Sequence, residues 1–331
     1  MKEIPQILAK DFLNLKEYME RAPQTQARFF VEEHPENLDA LPRAKAIERI
    51  LTPETCQFLE DRGWGISLAM INLDEPTGRL IKRINQKFPN LPISAWVVLP
   101  DKDGYWTNRF NVPQTTRRVE EIKAWTNRFD LNLEAFGFDL EIPIENFRGI
   151  MTAKSPILGL LKEWIKVARS EQYKRQNKEG YSPEQEMSAL LAQLKTERIK
   201  THSYELPSPL DAASRGVLQN TDFDTRVTMV YSTNGLPRFI ERHIPTVALQ
   251  PDTYPGIGVY SSTGHVSGRS LGLFDKSPIN PDVLAEDIST LAQKGRFKKE
   301  GFPDQIWVFA LDGIKIPQWT EQALQKASQK A

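Results

Sequence analysis

Eight short runs rich in apolar, β-branched and aromatic residues recur along the chain, most of them continuous in apolar character and separated by helix-compatible stretches. These observations predict an α/β fold, a (β/α)8 TIM barrel with a long helical insertion after the fourth strand. Unbroken apolar runs fit strands covered on both faces, as parallel strands under crossover helices are. In order the runs are ARFFVEE around 28–33, GISLAMINL at 65–73, ISAWVVL at 93–99, AFGFDLEI at 135–142, KTHSYEL at 200–206, RVTMVYS at 226–232, GIGVYSS at 256–262 and QIWVFAL at 305–311. Eight such strands suggest closure into a cylinder.

The connecting segments carry helix-start chemistry. A polar cap followed by Pro at the first helical position occurs at Thr52-Pro53-Glu54, Ser182-Pro183-Glu184-Gln185, Ser208-Pro209 and Asn280-Pro281-Asp282. There the missing Pro N–H costs nothing and the cap oxygen satisfies a free backbone donor. Ser182 with Gln185 also fits a capping box. Residues 1–26 read as an amphipathic helical segment closing the bottom of the barrel formed by 27–331. Within the barrel the connection of about 143–200 repeats Ile157, Leu161, Trp164, Ile165 and Ala168 at helical spacing, breaks at NKEGYSP, and resumes with Leu190, Leu191 and Leu194. It reads as a helical hairpin on the flank, with a lid or partner-binding arm as the functional alternative.

At 331 residues and 40% hydrophobic composition the chain has ample material for a core, whether as one barrel or as two ordinary domains. Its 43 Lys plus Arg balance 43 Asp plus Glu, and no basic cluster interleaved with aromatics offsets that balance, so nucleic acid is not an expected partner. The single Cys56 excludes an intramolecular disulfide and any zinc site with two thiolates. Charges run throughout MKEIPQILAKDFLNLKEYMERA, leaving no apolar stretch of signal or membrane-spanning length. The expectation is a soluble cytoplasmic protein with no membrane span; oligomeric state is not legible.

In such a barrel the chemistry gathers where the C-terminal ends of the strands meet the following loops. Those ends offer Glu32, Glu33 and His34 after the first run, Asn72, Asp74 and Glu75 after the second, and Asp101, Tyr105, Trp106, Asn108 and Asn111 after the third. Asp139 and Glu141 follow on the fourth, His202, Tyr204 and Glu205 on the fifth, Tyr231, Ser232 and Asn234 on the sixth, Tyr260, Ser262 and His265 on the seventh, and Asp312 on the eighth. The sharpest feature is AFGFDLEIP. Carboxylates two residues apart on a strand share a face, so Asp139 and Glu141 look together into the barrel mouth. Two like charges in one confined site raise the affinity of one of them for a proton, which suits general-acid cleavage of a glycosidic bond. The competing structural role is a charge layer in which one carboxylate pairs with Arg or Lys from a neighbouring strand.

LNLEAFGFDLE resembles the fourth-strand signature D-x-x-D-x-D-x-E of chitinase-like glycoside hydrolases of family 18, with Asp139 and Glu141 on its last two acidic positions. Glu134 stands at the first Asp and Gly137 replaces the second. Met229-Val230-Tyr231-Ser232 is similar to the family's M-x-Y-D with Ser232 at the Asp position, and IWVFALDG resembles its closing strand, with Phe309 where a Trp is usual. The resemblance implies a small-molecule or oligosaccharide substrate, a glycan or glycoconjugate cleaved without a cofactor. Glu141 would protonate the leaving oxygen. Asp139 would orient Glu141 and the substrate's 2-acetamido group, the internal nucleophile of that family, and Tyr231 would hold that group.

Beyond the third run, LPDKDGYWTNRFN sets Tyr105 and Trp106 on a polar loop, where an exposed ring can stack on a sugar and Asn108 and Asn111 can bond hydroxyls. The alternative is a Trp106 that packs under the loop and caps the rim. Of the four histidines, His34, His202, His243 and His265, three fall at or beyond strand ends. His202, Glu205 and His265, with the acidic pair, could form a divalent-metal site of the sugar-isomerase kind, although no tight spacing such as H-x-H accompanies them. The run SSTGHVSGRSLG reads as a mobile loop over the site, with Gly264 and Gly268 permitting movement; it lacks the phosphate-binding forms. A barrel that binds sugar or protein without cleaving it is the third reading.

Overall fold

The structure, a computed structural model, describes residues 25–32, 43–141, 165, 182–205, 218, 221–229, 253–258, 282, 284–285, 288–289, 304–309, 311 and 315–330. Eight strands close into a barrel in chain order, β1 to β8, and every strand pairing described is parallel. With helices between the strands, this is the (β/α)8 architecture expected. The chain divides into two compact units, Ile66–Met229 and the combination of Met1–Gly65 with Val230–Ala331.

The Ile66–Met229 unit contains the arc from β2 (Gly65–Ala69) through β3 (Ile93–Val97), β4 (Ala135–Leu140) and β5 (Lys200–Glu205) to β6 (Thr225–Met229). Every residue of β2, β3 and β4 is buried, as the apolar runs require. The helices here begin as their caps dictate. In α3 (Glu75–Lys87) the Asp74 carboxylate accepts from Thr77 N at 2.8 Å, with Pro76 in the first turn. In α5 (Pro183–Thr196) the Ser182 hydroxyl accepts from Gln185 N at 3.3 Å. Each such cap contributes about 1 kcal/mol. Between them, α4 (Val112–Phe129) buries Val119, Ile122 and Trp125 and ends on Asp130 in the left-handed conformation. α5 turns Met187, Leu190, Leu191 and Leu194 inward, packing beside α4 and β5.

The other unit holds β1 (Gln26–Val31), α1 (Arg43–Ile50), α2 (Pro53–Glu60), β7 (Thr253–Gly258), β8 (Gln305–Phe309) and α6 (Lys315–Lys330). β1 pairs with β8 from Gln26↔Gln305 to Phe30↔Phe309. Thr52 caps α2 as expected, accepting from Thr55 N at 3.1 Å, and Arg62 beyond that helix donates to both carboxylate oxygens of Glu321 on α6. Cys56 is buried within α2, its thiol donating toward Leu51 O at 3.7 Å.

Strand boundaries shift modestly from the sequence reading. β7 starts at Thr253, three residues before its run, because Thr253, Tyr254 and Pro255 are extended ahead of the first ladder pair, Gly256↔Trp307. Pro255 lies ahead of the first β7–β8 pair and removes no donor from that ladder. Of the insertion, α5 and the helical Ile165 are described. Residues 143–164 and 166–181 of it, the 1–24 segment and the helix starts at Ser208 and Asn280 lie outside the described residues. No helix among the described residues is long and apolar enough to cross a membrane.

Candidate active site on the fourth and fifth strands

Register fixes which side chains share a face. On the arc from β2 to β5 the pairings Ser67↔Ser94, Ala69↔Trp96, Trp96↔Gly137, Gly137↔His202 and Asp139↔Tyr204 place Ser67, Trp96, Gly137, Asp139, His202 and Tyr204 on one side. That side is the concave one. Tyr204 on β5 reaches over β4 and β3 to β2, where its hydroxyl lies 2.7 Å from Ser67 Oγ. A span of three strand spacings, about 14 Å along the sheet, is open to a tyrosine only as a chord across the inside of a curved wall.

Gly137 makes this chord possible. A Cβ on Gly137 would stand 2.0 Å from the Tyr204 hydroxyl and 2.5 Å from the ring carbon bearing it. Trp96 meets the tyrosine ring edge-on, with centroids 6.1 Å apart and planes at 89°. The departure from the D-x-x-D-x-D-x-E pattern at Gly137 therefore has a structural cause: the space before that position is filled by the Tyr204 phenol.

Asp139 follows two residues along the same strand face, about 6.7 Å further toward the strand's C-terminal end, and Glu141 stands one more step beyond. The ladder continues past β4, since Leu140 bridges Thr107 and Glu141 N donates to Thr107 O at 3.3 Å. Alternation carried one residue past the end of β4 would bring Glu141 to the side of Asp139. Both are deeply placed, 4% and 7% exposed, and they are the two buried carboxylates among the described residues. His202 is also buried, level with Gly137 and one step below Asp139.

Other candidates fall elsewhere. Glu205 points to the face opposite Tyr204, where it pairs with Arg226 at 3.0 Å and accepts from Ser203 Oγ. This separates it from His202, three residues away on an alternating strand. Tyr105 and Trp106 are not exposed platforms. Tyr105 is 1% exposed with a left-handed backbone, and Trp106, 8% exposed, stacks edge-on against it at 5.8 Å. The rim-capping role describes Trp106, and the sugar-platform expectation is corrected accordingly.

Asn108 and Asn111 are likewise committed to their own loop. Asn111 Oδ1 accepts from Asn108 N at 2.8 Å, and its amide donates to Asp103 O and Trp106 O; Asn108 donates to Trp106 O and accepts from Phe110 N. Their expected bonds to substrate hydroxyls give way to loop closure. Asp74 caps α3, and Glu75 pairs with Arg79. Glu32 directly follows β1 and is half-buried. Tyr231, Tyr260, His265 and Asp312 lie outside the described residues. No group of three or more His, Cys, Asp and Glu side chains suited to a metal ion occurs among the described residues.

Two structural residues escaped the sequence reading. Ser67 sits in an apolar run and gives no signal until its partner is known. Arg118 on α4 is buried, donating from Nε to Val98 O at 3.1 Å and from one terminal nitrogen to Met70 O and Ile71 O, each at 2.6 Å. It clamps the carbonyls at the C-terminal ends of β2 and β3, where a barrel rim otherwise leaves them open.

No protein-family model matches the chain, and no curated protein matches it. Among solved structures, a chitinase from Chromobacterium violaceum is similar over 92% of this chain and 98% of its own, with 10% identity and a TM-score of 0.49. The Ostrinia furnacalis Group IV chitinase aligns over 92% and 99% at 8% identity, TM-score 0.48. A xylose isomerase domain-containing protein from Salmonella typhimurium aligns over 93% and 96% at 9% identity, TM-score 0.39.

Proposed function

We propose that the chain is a glycoside hydrolase-like enzyme acting on a glycan or glycoconjugate, with Glu141 as acid/base and Asp139 as its partner. One observation supports this above the rest: the two buried carboxylates of the described residues, Asp139 and Glu141, lie two residues apart where β4 ends. That end of a barrel strand is where such enzymes carry their chemistry. A strand offers no reason of stability for two adjacent buried acids, and crowding them favours one protonated and one ionised carboxyl. Glu141 then delivers its proton to the leaving oxygen as the glycosidic C–O bond breaks. Asp139, ionised, stabilises the positive charge that develops on the sugar. Water adds to the anomeric carbon and returns a proton to Glu141. By the resemblance at Asp139 and Glu141, the 2-acetamido carbonyl of the substrate attacks first and water follows, with Tyr231 holding that group.

The test is turnover of a panel of aryl glycosides, including 2-acetamido sugars, by the full chain and by Glu141→Gln. Release of the aryl group should survive a chelator and fall by 10²-fold or more in the variant, in keeping with loss of a general acid. Activity that vanishes with chelator, alongside bound metal, would point instead to the metal-dependent isomerase or lyase reading. Saturable sugar binding without turnover would point to a binding barrel.

A further inference from the structure

We infer that Asn111 is a positioning residue for Glu141, acting through the loop between β3 and α4; the inference rests on the reading of Glu141 as the acid/base. Glu141 lies one residue beyond β4 and past the last β4–β5 pair, Leu140↔Glu205. What continues the sheet there is Thr107, which bridges Leu140 in parallel and accepts from Glu141 N at 3.3 Å. That bond constrains the backbone from which the Glu141 side chain departs, and with it the direction of departure.

Thr107 is in turn set by Asn111. The Asn111 amide donates to Asp103 O at 2.9 Å and Trp106 O at 2.8 Å, and its Oδ1 accepts from Asn108 N at 2.8 Å, so one side chain holds the residues on both sides of Thr107. Gly104, at φ 101°, leaves the room, since a Cβ there would stand 2.9 Å from Asn111 Nδ2. Tyr105 follows at φ 61°, a backbone state that bulky residues rarely adopt and that the surrounding bonds must hold. Beyond Thr107 the loop is tied again, where Arg109 donates at 2.8 Å to Glu184 in the first turn of α5. Asn111 also occupies the N-cap of α4, where asparagine ordinarily bonds a free N–H of the first turn, yet its side chain makes no cap bond. Helix stability alone would turn that amide the other way. Its local preference is given up to the loop that holds Glu141, as happens where function constrains a site.

Amide hydrogen exchange of the full chain, read by NMR beside aryl glycoside turnover, tests this. Asn111→Asp is close in size and keeps an acceptor, but cannot donate to Asp103 O or Trp106 O. It should speed exchange at the Glu141 amide by about fivefold or more, the protection that one hydrogen bond supplies, with the amides of Phe136 and Phe138 inside β4 unchanged. kcat should fall about tenfold or more at a KM within about twofold of the parent's, because a misplaced acid costs the transition state and not substrate binding. A variant that merely loosened the fold would quicken all β4 amides together and lose activity in step with its unfolded fraction. Asn111→Ala should repeat both effects; should it fail to fold, Asn111→Asp decides. Unchanged Glu141 exchange in folded Asn111→Asp, or faster exchange with kcat intact, would overturn the inference and leave the hydrolase proposal in place. A parent chain that cleaves no glycoside would retire the hydrolase proposal, and the exchange result alone would then decide whether Asn111 governs the Glu141 backbone.

Discussion

Gly137→Ala places the heaviest demand on the inner wall. Its new methyl would lie 2.0, 2.5 and 2.6 Å from three atoms of Tyr204. Restoring ordinary contact at 3.4 Å moves the hydroxyl by about 1.4 Å, and a shift of that size breaks its 2.7 Å bond to Ser67. Overpacking of this kind costs about 1–3 kcal/mol. A buried hydroxyl left without its partner adds about 1–3 kcal/mol, so the variant should lose roughly 2–6 kcal/mol. Gly78→Ala is the comparison. Its methyl would stand 2.5 Å from one carbon of the Phe129 ring and 2.7 Å from the ring carbon at the root of that side chain, so a shift is needed there too. But Phe129 is half-exposed and alanine in α3 gains up to about 1 kcal/mol of helix propensity, so the loss should be smaller than at Gly137. Guanidinium unfolding of both variants, followed by near-ultraviolet circular dichroism, supplies the comparison. A double variant, Gly137→Ala with Tyr204→Ala, should be at least about 1 kcal/mol more stable than the single losses predict by addition, because the clash disappears with the ring. A Gly137→Ala protein within about 0.5 kcal/mol of the parent, or strict additivity, would refute the packing account.

Two further outcomes follow from the same structure. Arg118→Met should cost about 2–4 kcal/mol, since three carbonyls at the ends of β2 and β3 lose a charged donor; thermal unfolding checks it, and a neutral result would mean water replaces the clamp. Between α4 and α5, the hydrogen bond from Lys123, then that from Gln193, holds the Glu197 carboxylate below its ordinary value of 4.5. Burial works to lower the Lys123 ammonium, but its bonds to Glu197 and Glu120 outweigh this and raise it. The pair therefore contributes above the unfolded carboxylate value and is lost as pH falls through the depressed folded one. At the other extreme it is lost as pH rises through the elevated lysine value. Its exposure keeps the effect of Lys123→Met under about 1 kcal/mol, visible as a smaller stability difference from the parent at pH 3 than at pH 7.

The barrel was legible because most of its strands lie in nearly continuous apolar runs, as parallel strands under helices need. The caps at Thr52 and Ser182 were legible for the same local reason, being set by one oxygen and the next turn of backbone. The burial of Asp139 and Glu141 where β4 ends is in keeping with their spacing of two in AFGFDLEIP. What failed was long-range or loop-borne. Tyr105, Trp106, Asn108 and Asn111 look like a ligand platform because polar and aromatic residues crowd a loop, yet the asparagines are engaged in closing that loop and the rings pack beneath it. Glu205 was grouped with His202 by proximity along the chain, although an odd separation on a strand puts them on opposite faces. Ser67 carries no local signal at all, because its role depends on a tyrosine 137 positions away.

The most direct measurement is a crystal structure of Glu141→Gln grown with oligosaccharide and with divalent metal in separate soaks. A sugar ring lying against the side chains at positions 139 and 141 is the predicted result. A metal ion held by Asp139 or His202, or an oligosaccharide bound away from β4 with this face sealed, would contradict the assignment of the acid pair.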